Sequence, residues 1–101
     1  MITLGESELS FMELIERLSL GKSLHGIAGT VYRDGNKIIS APARPSISDL
    51  DTLASPHDYF DTHIVMTSRG CPWQCTFCGA DTTWGRGFRG NSVEYVANSL
   101  Q

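Results

Sequence analysis

Apolar residues change their spacing several times along the chain, and each change marks a different element. Phe11, Leu14, Ile15 and Leu18 recur at i, i+3, i+4 and i+7, the stripe of an amphipathic helix over about residues 8–20. Ser7 is one candidate cap, and Ser10 with Glu13 is another as a capping box. Gly21 can close the helix in the left-handed region. Residues 29–41 lose that period. Val31 and Tyr32 before Asp34-Gly35, and Ile38 and Ile39 after it, predict a β-hairpin with a two- or four-residue loop. From 42 to 60 no period survives. Pro42, Pro45 and Pro56, interspersed with Ser and Asp, predict an irregular connector tacked down by Leu50 and Leu53. Residues 62–68, THIVMTS, place Ile64, Val65 and Met66 in sequence and predict a short buried strand. Helical spacing returns with Val93, Val96, Ala97 and Leu100 behind an Asn91/Glu94 capping pair, after a loop punctuated by Gly85, Gly87 and Gly90.

Strand, loop and helix together read as a βα unit, in which ligands sit beyond the carboxyl end of the strand. That strand has no parallel partner in the chain, and the last helix has no C-terminal cap. The reading is therefore the start of a larger sheet rather than a finished domain.

Composition narrows the setting. A chain of 101 residues holds one modest core and not two ordinary domains. Eight basic and eleven acidic side chains give a formal charge of -3, which argues against a general nucleic-acid surface. No apolar run approaches the roughly 20 residues of a membrane span, and MITLGESELS lacks the regions of a secretory signal. Three cysteines cannot make two disulfides, so a reduced, cytoplasmic setting is expected. Glu6 and Glu8 suit a helix start without any catalytic role. His25 and His57 (with its neighbour Asp58) read as ordinary loop residues.

All three thiols fall within SRGCPWQCTFCG, residues 68–79. Cys71, Cys75 and Cys78 form C-x3-C-x2-C, three soft ligands on a turning backbone. Spacing alone leaves several chemistries open. An iron–sulfur cluster needs closely grouped thiolates, and three of them leave one iron for a small molecule. Zinc wants a fourth ligand, for which His63 is the nearest imidazole. A dithiol at Cys75 and Cys78 would leave Cys71 unexplained, and inert thiols are the remaining reading.

CPWQCTFC resembles the signature of the radical S-adenosylmethionine superfamily, with an aromatic residue directly before the third cysteine. TWGRGFRGNSVEYV resembles a stretch of the subgroup that follows a cobalamin-binding domain, the anaerobic magnesium-protoporphyrin ester cyclase type. Gly85, Arg86, Phe88, Arg89, Ser92, Glu94 and Val96 match that stretch, and Val93 replaces the usual proline. GESE at 5–8, the Gly26–Gly35 segment and the DLD-x-L connector resemble the region joining the two domains. The resemblance implies an α+β fragment: a helix and β-hairpin linker region followed by the first βα unit of a partial TIM-like barrel. Residues 1–60 would be the end of the cobalamin-binding domain and linker, and 61–101 the start of the radical domain.

The same resemblance makes Cys71, Cys75 and Cys78 the ligands of a [4Fe-4S] cluster, with Phe77 packed beside the cluster or the adenine. S-adenosylmethionine would occupy the open iron and be cleaved reductively to a 5'-deoxyadenosyl radical, as in an oxidoreductase, cyclase or methyltransferase. Its implied partners are the remaining barrel and cobalamin-binding domains, a reductant such as ferredoxin or flavodoxin, and a small-molecule substrate. The isolated chain would lack turnover. Arg69, Arg86 and Arg89 are candidates for local charge tuning or for holding a carboxylate or phosphate, and Trp73 and Trp84 for packing. The alternative from another class is a small structural zinc or Fe-S module that mediates protein interaction.

Overall fold

The computed structural model describes residues 1–100, so Gln101, the last residue of the second expected region, lies outside the described residues. The chain divides into two compact units, Met1–Ser46 and the residues from Ile47 onward.

In the first unit, strand β1 (Ile2–Thr3) precedes helix α1 (Glu8–Ser19), and strands β2 (Thr30–Asp34) and β3 (Lys37–Ser40) follow. The three strands form one antiparallel sheet in the order β1-β2-β3. Asp34 pairs with Lys37, so the hairpin takes the two-residue loop Gly35-Asn36. Gly35 sits at φ +57°, and among the described residues no non-glycine residue has positive φ. Only the first central position is thus left-handed, the requirement of a type II′ turn. A lone hairpin is marginal in water. Here Ile2 pairs with Val31 and Thr3 with Thr30 to add a third strand that the sequence pattern did not predict.

Helix α1 ends as its sequence predicts. Gly21 lies at φ +62°, with Gly21 N–H donating to the Leu18 carbonyl and Lys22 N–H to that of Arg17. This is a Schellman closure. The predicted apolar stripe, however, is not the buried face: Phe11, Ile15 and Leu18 are all half or more exposed, and Ser10 is the helix's one buried residue. Nor do Ser10 and Glu13 build a capping box, since Ser7 is the cap residue. Ser10 Oγ instead donates to the Ala28 carbonyl at 2.8 Å and accepts from Arg44 Nε at 3.0 Å. Glu13 pairs with Arg44 and, at 2.6 Å, with Arg17. Arg17 in turn donates to the carbonyls of Ser23 and His25. A polar clasp joins α1 to the loop before β2, beside the fully buried Ile27 and Thr30.

The second unit opens with two 3₁₀ turns, Leu50–Thr52 and Pro56–Asp58. Leu50 is 2% exposed and Ile47 is also buried, so both anchor the connector. Strand β4 is only Ser68–Arg69, and it pairs antiparallel with β5 (Arg89–Gly90). Helices α2 (Ala80–Trp84) and α3 (Val93–Asn98) flank β5 in sequence. The cap of α3 is Ser92, whose Oγ accepts from Tyr95 N–H, one residue beyond the predicted Asn91.

The expected fold class therefore needs correction. The chain is a small mixed α/β arrangement with two open antiparallel sheets, not the first βα unit of a TIM-like barrel. Most of residues 62–68 forms no strand, and Ile64 is 78% exposed. The physical reason is pairing: a strand needs a neighbour for its N–H and C=O groups. Among the described residues only Ser68 and Arg69 find one, with Thr67 adding a single bond from Asn91 N–H. No helix among the described residues is long and apolar enough to cross a membrane.

Candidate functional site

Backbone, not side chains, sets the bed of the cysteine loop. Gly70 lies at φ +82°, and a Cβ there would strike the carbonyl oxygen of Gly87. The chain entering the cysteine segment and the glycine loop after α2 therefore pass at a separation only a hydrogen side chain permits. Arg89 braces the same region. Its guanidinium donates to the carbonyls of Ile47 and, at 3.0 Å, Trp84. Arg86 makes a 3.8 Å pair with Asp81 at an exposed position, where such pairs contribute little.

Within this frame Cys71 is half-buried, whereas Cys75 and Cys78 are exposed, and all three are free thiols. Cys78 N–H donates to the Cys75 carbonyl at 3.1 Å, which bends residues 75–78 into a reverse turn. Phe77, between the two exposed thiols, is 90% exposed, and Trp73 also faces outward. The loop then enters α2, which the sequence reading treated as loop. Thr82 holds its start, with both its Oγ1 and its N–H donating to the Gly79 carbonyl.

The structure does not bring the predicted ligands together. Among the described residues, no group of three or more His, Cys, Asp or Glu side chains is gathered closely enough to hold a metal ion. Two thiols share an exposed turn while the third lies half-buried just after β4, so the set is spread along the loop. This overturns the expected [4Fe-4S] site. It removes the open iron that was to take S-adenosylmethionine and the radical oxidoreductase chemistry built on it. Among the described residues it leaves no His or Cys grouping for cobalamin and no knuckle for structural zinc, His63 included.

Two features went unread in the sequence. Asp51 accepts from Ser92 N–H at 3.0 Å and from Asn91 Nδ2 at 3.1 Å, tying the first 3₁₀ turn to the start of α3. Hydrogen bonds from Ser92, and more weakly Asn91, hold its carboxyl below the ordinary range against a smaller opposing effect of desolvation. A cavity of about 670 Å³ lies between residues 57–65 and the end of α3, lined by His57, Asp58, Asp61, His63 and Ser99 among others. His57 Nε2 is buried there without a hydrogen-bond partner. The signal for it was Pro56, which opens a 3₁₀ turn and directs the next residue away from an extended loop path.

No family model matches the chain. It is 39% identical over 95% of its length to an uncharacterized methyltransferase of Pyrococcus horikoshii, covering 23% of that protein. It is 31% identical over 96% of its length to the hopanoid C-3 methylase of Methylococcus capsulatus, covering 20% of it. To the anaerobic magnesium-protoporphyrin IX monomethyl ester cyclase of a Synechocystis strain it is 29% identical over 84% of its length, covering 19%. The chain thus spans about a fifth of the curated relatives it matches. These similarities join it distantly to proteins named as methyltransferases and cyclases. With neither a gathered metal-ligating set nor a barrel among the described residues, assignment to the radical S-adenosylmethionine superfamily does not stand.

Proposed function

We propose that this chain is one segment of a methyltransferase, and that residues 68–90 are the part of it that meets the reaction partner. The observation that carries the reading is the 39% identity to the Pyrococcus horikoshii methyltransferase across 95% of this chain. The hopanoid C-3 methylase and a bacteriochlorophyllide d C-12(1)-methyltransferase of Chlorobaculum tepidum, 29% identical, lean the same way. In this proposal residues 1–60 join two parts of the longer protein, and 61–101 begin the second.

Chemistry within the segment favours the same loop. Cys71, Cys75 and Cys78 are its only thiols, and Phe77 offers an exposed apolar ring between two of them. A small-molecule acceptor with an apolar body would find an aromatic contact on the same turn as two exposed thiols.

The test uses the full-length protein in a host fed methyl-deuterated methionine. The reading expects an extractable product that gains one labelled methyl group and is absent when Cys75 and Cys78 are replaced by serine. A product of unchanged carbon count with a new ring would instead favour the cyclase relatives.

A further inference from the structure

The Cys75–Cys78 turn has a property independent of methyl transfer. Its backbone bond, Cys78 N–H to the Cys75 carbonyl at 3.1 Å, closes a four-residue reverse turn. Such turns hold their end Cα atoms within about 7 Å. Disulfides span Cα separations of about 4.4–6.8 Å. Both thiols are free and exposed, so a small molecule can reach either sulfur. The remaining thiol, Cys71, is half-buried and lies outside the turn.

We infer that Cys75 and Cys78 form a dithiol–disulfide exchange site whose co-reactant is a low-molecular-weight disulfide. The thiolate of one cysteine attacks a sulfur of that disulfide, forming a mixed disulfide and expelling one small thiolate. The second cysteine's thiolate then attacks the protein sulfur of the mixed disulfide, closing the intramolecular bridge and expelling the second small thiolate. The two protein thiols lose two electrons and two protons, and the small disulfide gains both as two thiols. The native turn lowers the cost of the second step because it already holds the two Cα atoms close. Closure locks the four residues that lead directly into Gly79 and α2.

The experiment equilibrates the 101-residue chain with glutathione buffers of graded ratio, quenches by alkylation, and reads intact and peptide masses. The proposal expects loss of two hydrogens, one alkylatable thiol left at Cys71, and a bridged Cys75–Cys78 peptide. C71S keeps the bridge, whereas C75S and C78S stop at the glutathione adduct. The bridging equilibrium constant in native buffer should exceed that in 8 M urea by about tenfold, the signature of a preformed turn. Equal constants in the two solvents, a bridge through Cys71, or only mixed disulfides in the native chain would overturn it. The serine variants keep the test decisive without requiring any to be active.

Discussion

A Cβ on Gly70 and the carbonyl oxygen of Gly87 cannot occupy their present places together. Seventeen residues apart in sequence, these two glycines fix where the backbone enters the cysteine segment and where the loop after α2 returns. Gly70→Ala meets both that clash and a φ of +82°. We expect it to destabilise the chain by roughly 2 kcal/mol or more. Gly21→Ala, at φ +62° but with open space around the new methyl, should cost only about 1 kcal/mol. Urea unfolding of the pair checks the difference, and equal losses would mean the close approach is not a constraint.

Arg44 tests the clasp of the first unit. Its Nε donates to both Ser10 Oγ and the Ala28 carbonyl, and its outer nitrogen pairs with Glu13. Arg44→Met keeps the aliphatic stem but removes a donor from Ser10 Oγ, the Ala28 carbonyl and Glu13, of which the carbonyl keeps Ser10 Oγ and Glu13 keeps Arg17. A loss of about 1–3 kcal/mol is expected, because Ser10 is fully buried and water cannot replace the bond. Lys22→Met, at an exposed position beyond the helix end, serves as the neutral control.

Asp51 predicts an acid dependence with a definite sign. Its carboxyl is held below the ordinary range by Ser92 and Asn91, so its folded value lies under its unfolded one. Its contribution is therefore full above the unfolded value near pH 4 and is lost as pH falls through the folded value. Glu13, held low chiefly by Arg44, adds to the slope in the same direction. The melting temperature of Asp51→Asn should fall below that of the parent at pH 7, with the gap shrinking steadily as pH is taken below the unfolded value. A constant gap across that range would show that the charge is not what the site uses.

Sulfur exposure gives a kinetic prediction. Cys75 and Cys78 are exposed and Cys71 is not fully so. Under sub-stoichiometric maleimide the first two should carry most of the label, by about threefold or more over Cys71. Peptide mapping after a short pulse reads this directly.

What was legible in the sequence was mostly what local chemistry alone dictates. Gly21 and Gly35 announced a helix end and a tight turn because no other residue type adopts those angles cheaply. Helix α1 followed from its period, yet the period misassigned its buried face, because Ser10 and Glu13 are claimed by an arginine thirty-four and thirty-one residues away. Strand β1, two residues long, carries no pattern to read. The run at 62–68 had strand composition, but composition supplies no hydrogen-bonding neighbour. Helix α2 was hidden by two threonines and surrounding glycines, residues of poor helix propensity.

The cysteine motif shows the same limit at the site. Its spacing was plain, but spacing does not dictate that three side chains converge. A turn at 75–78 gathers two thiols and leaves the third behind.

The most direct measurement is anaerobic incubation of the chain with ferrous iron and sulfide, followed by desalting, iron and sulfide analysis, and a thiol count. The account predicts three titratable thiols and no stoichiometric iron, since no metal-holding group is gathered among the described residues. About four irons and four sulfides per chain with all three thiols protected would contradict it, and would mean that the loop closes around a cluster it does not hold open in advance.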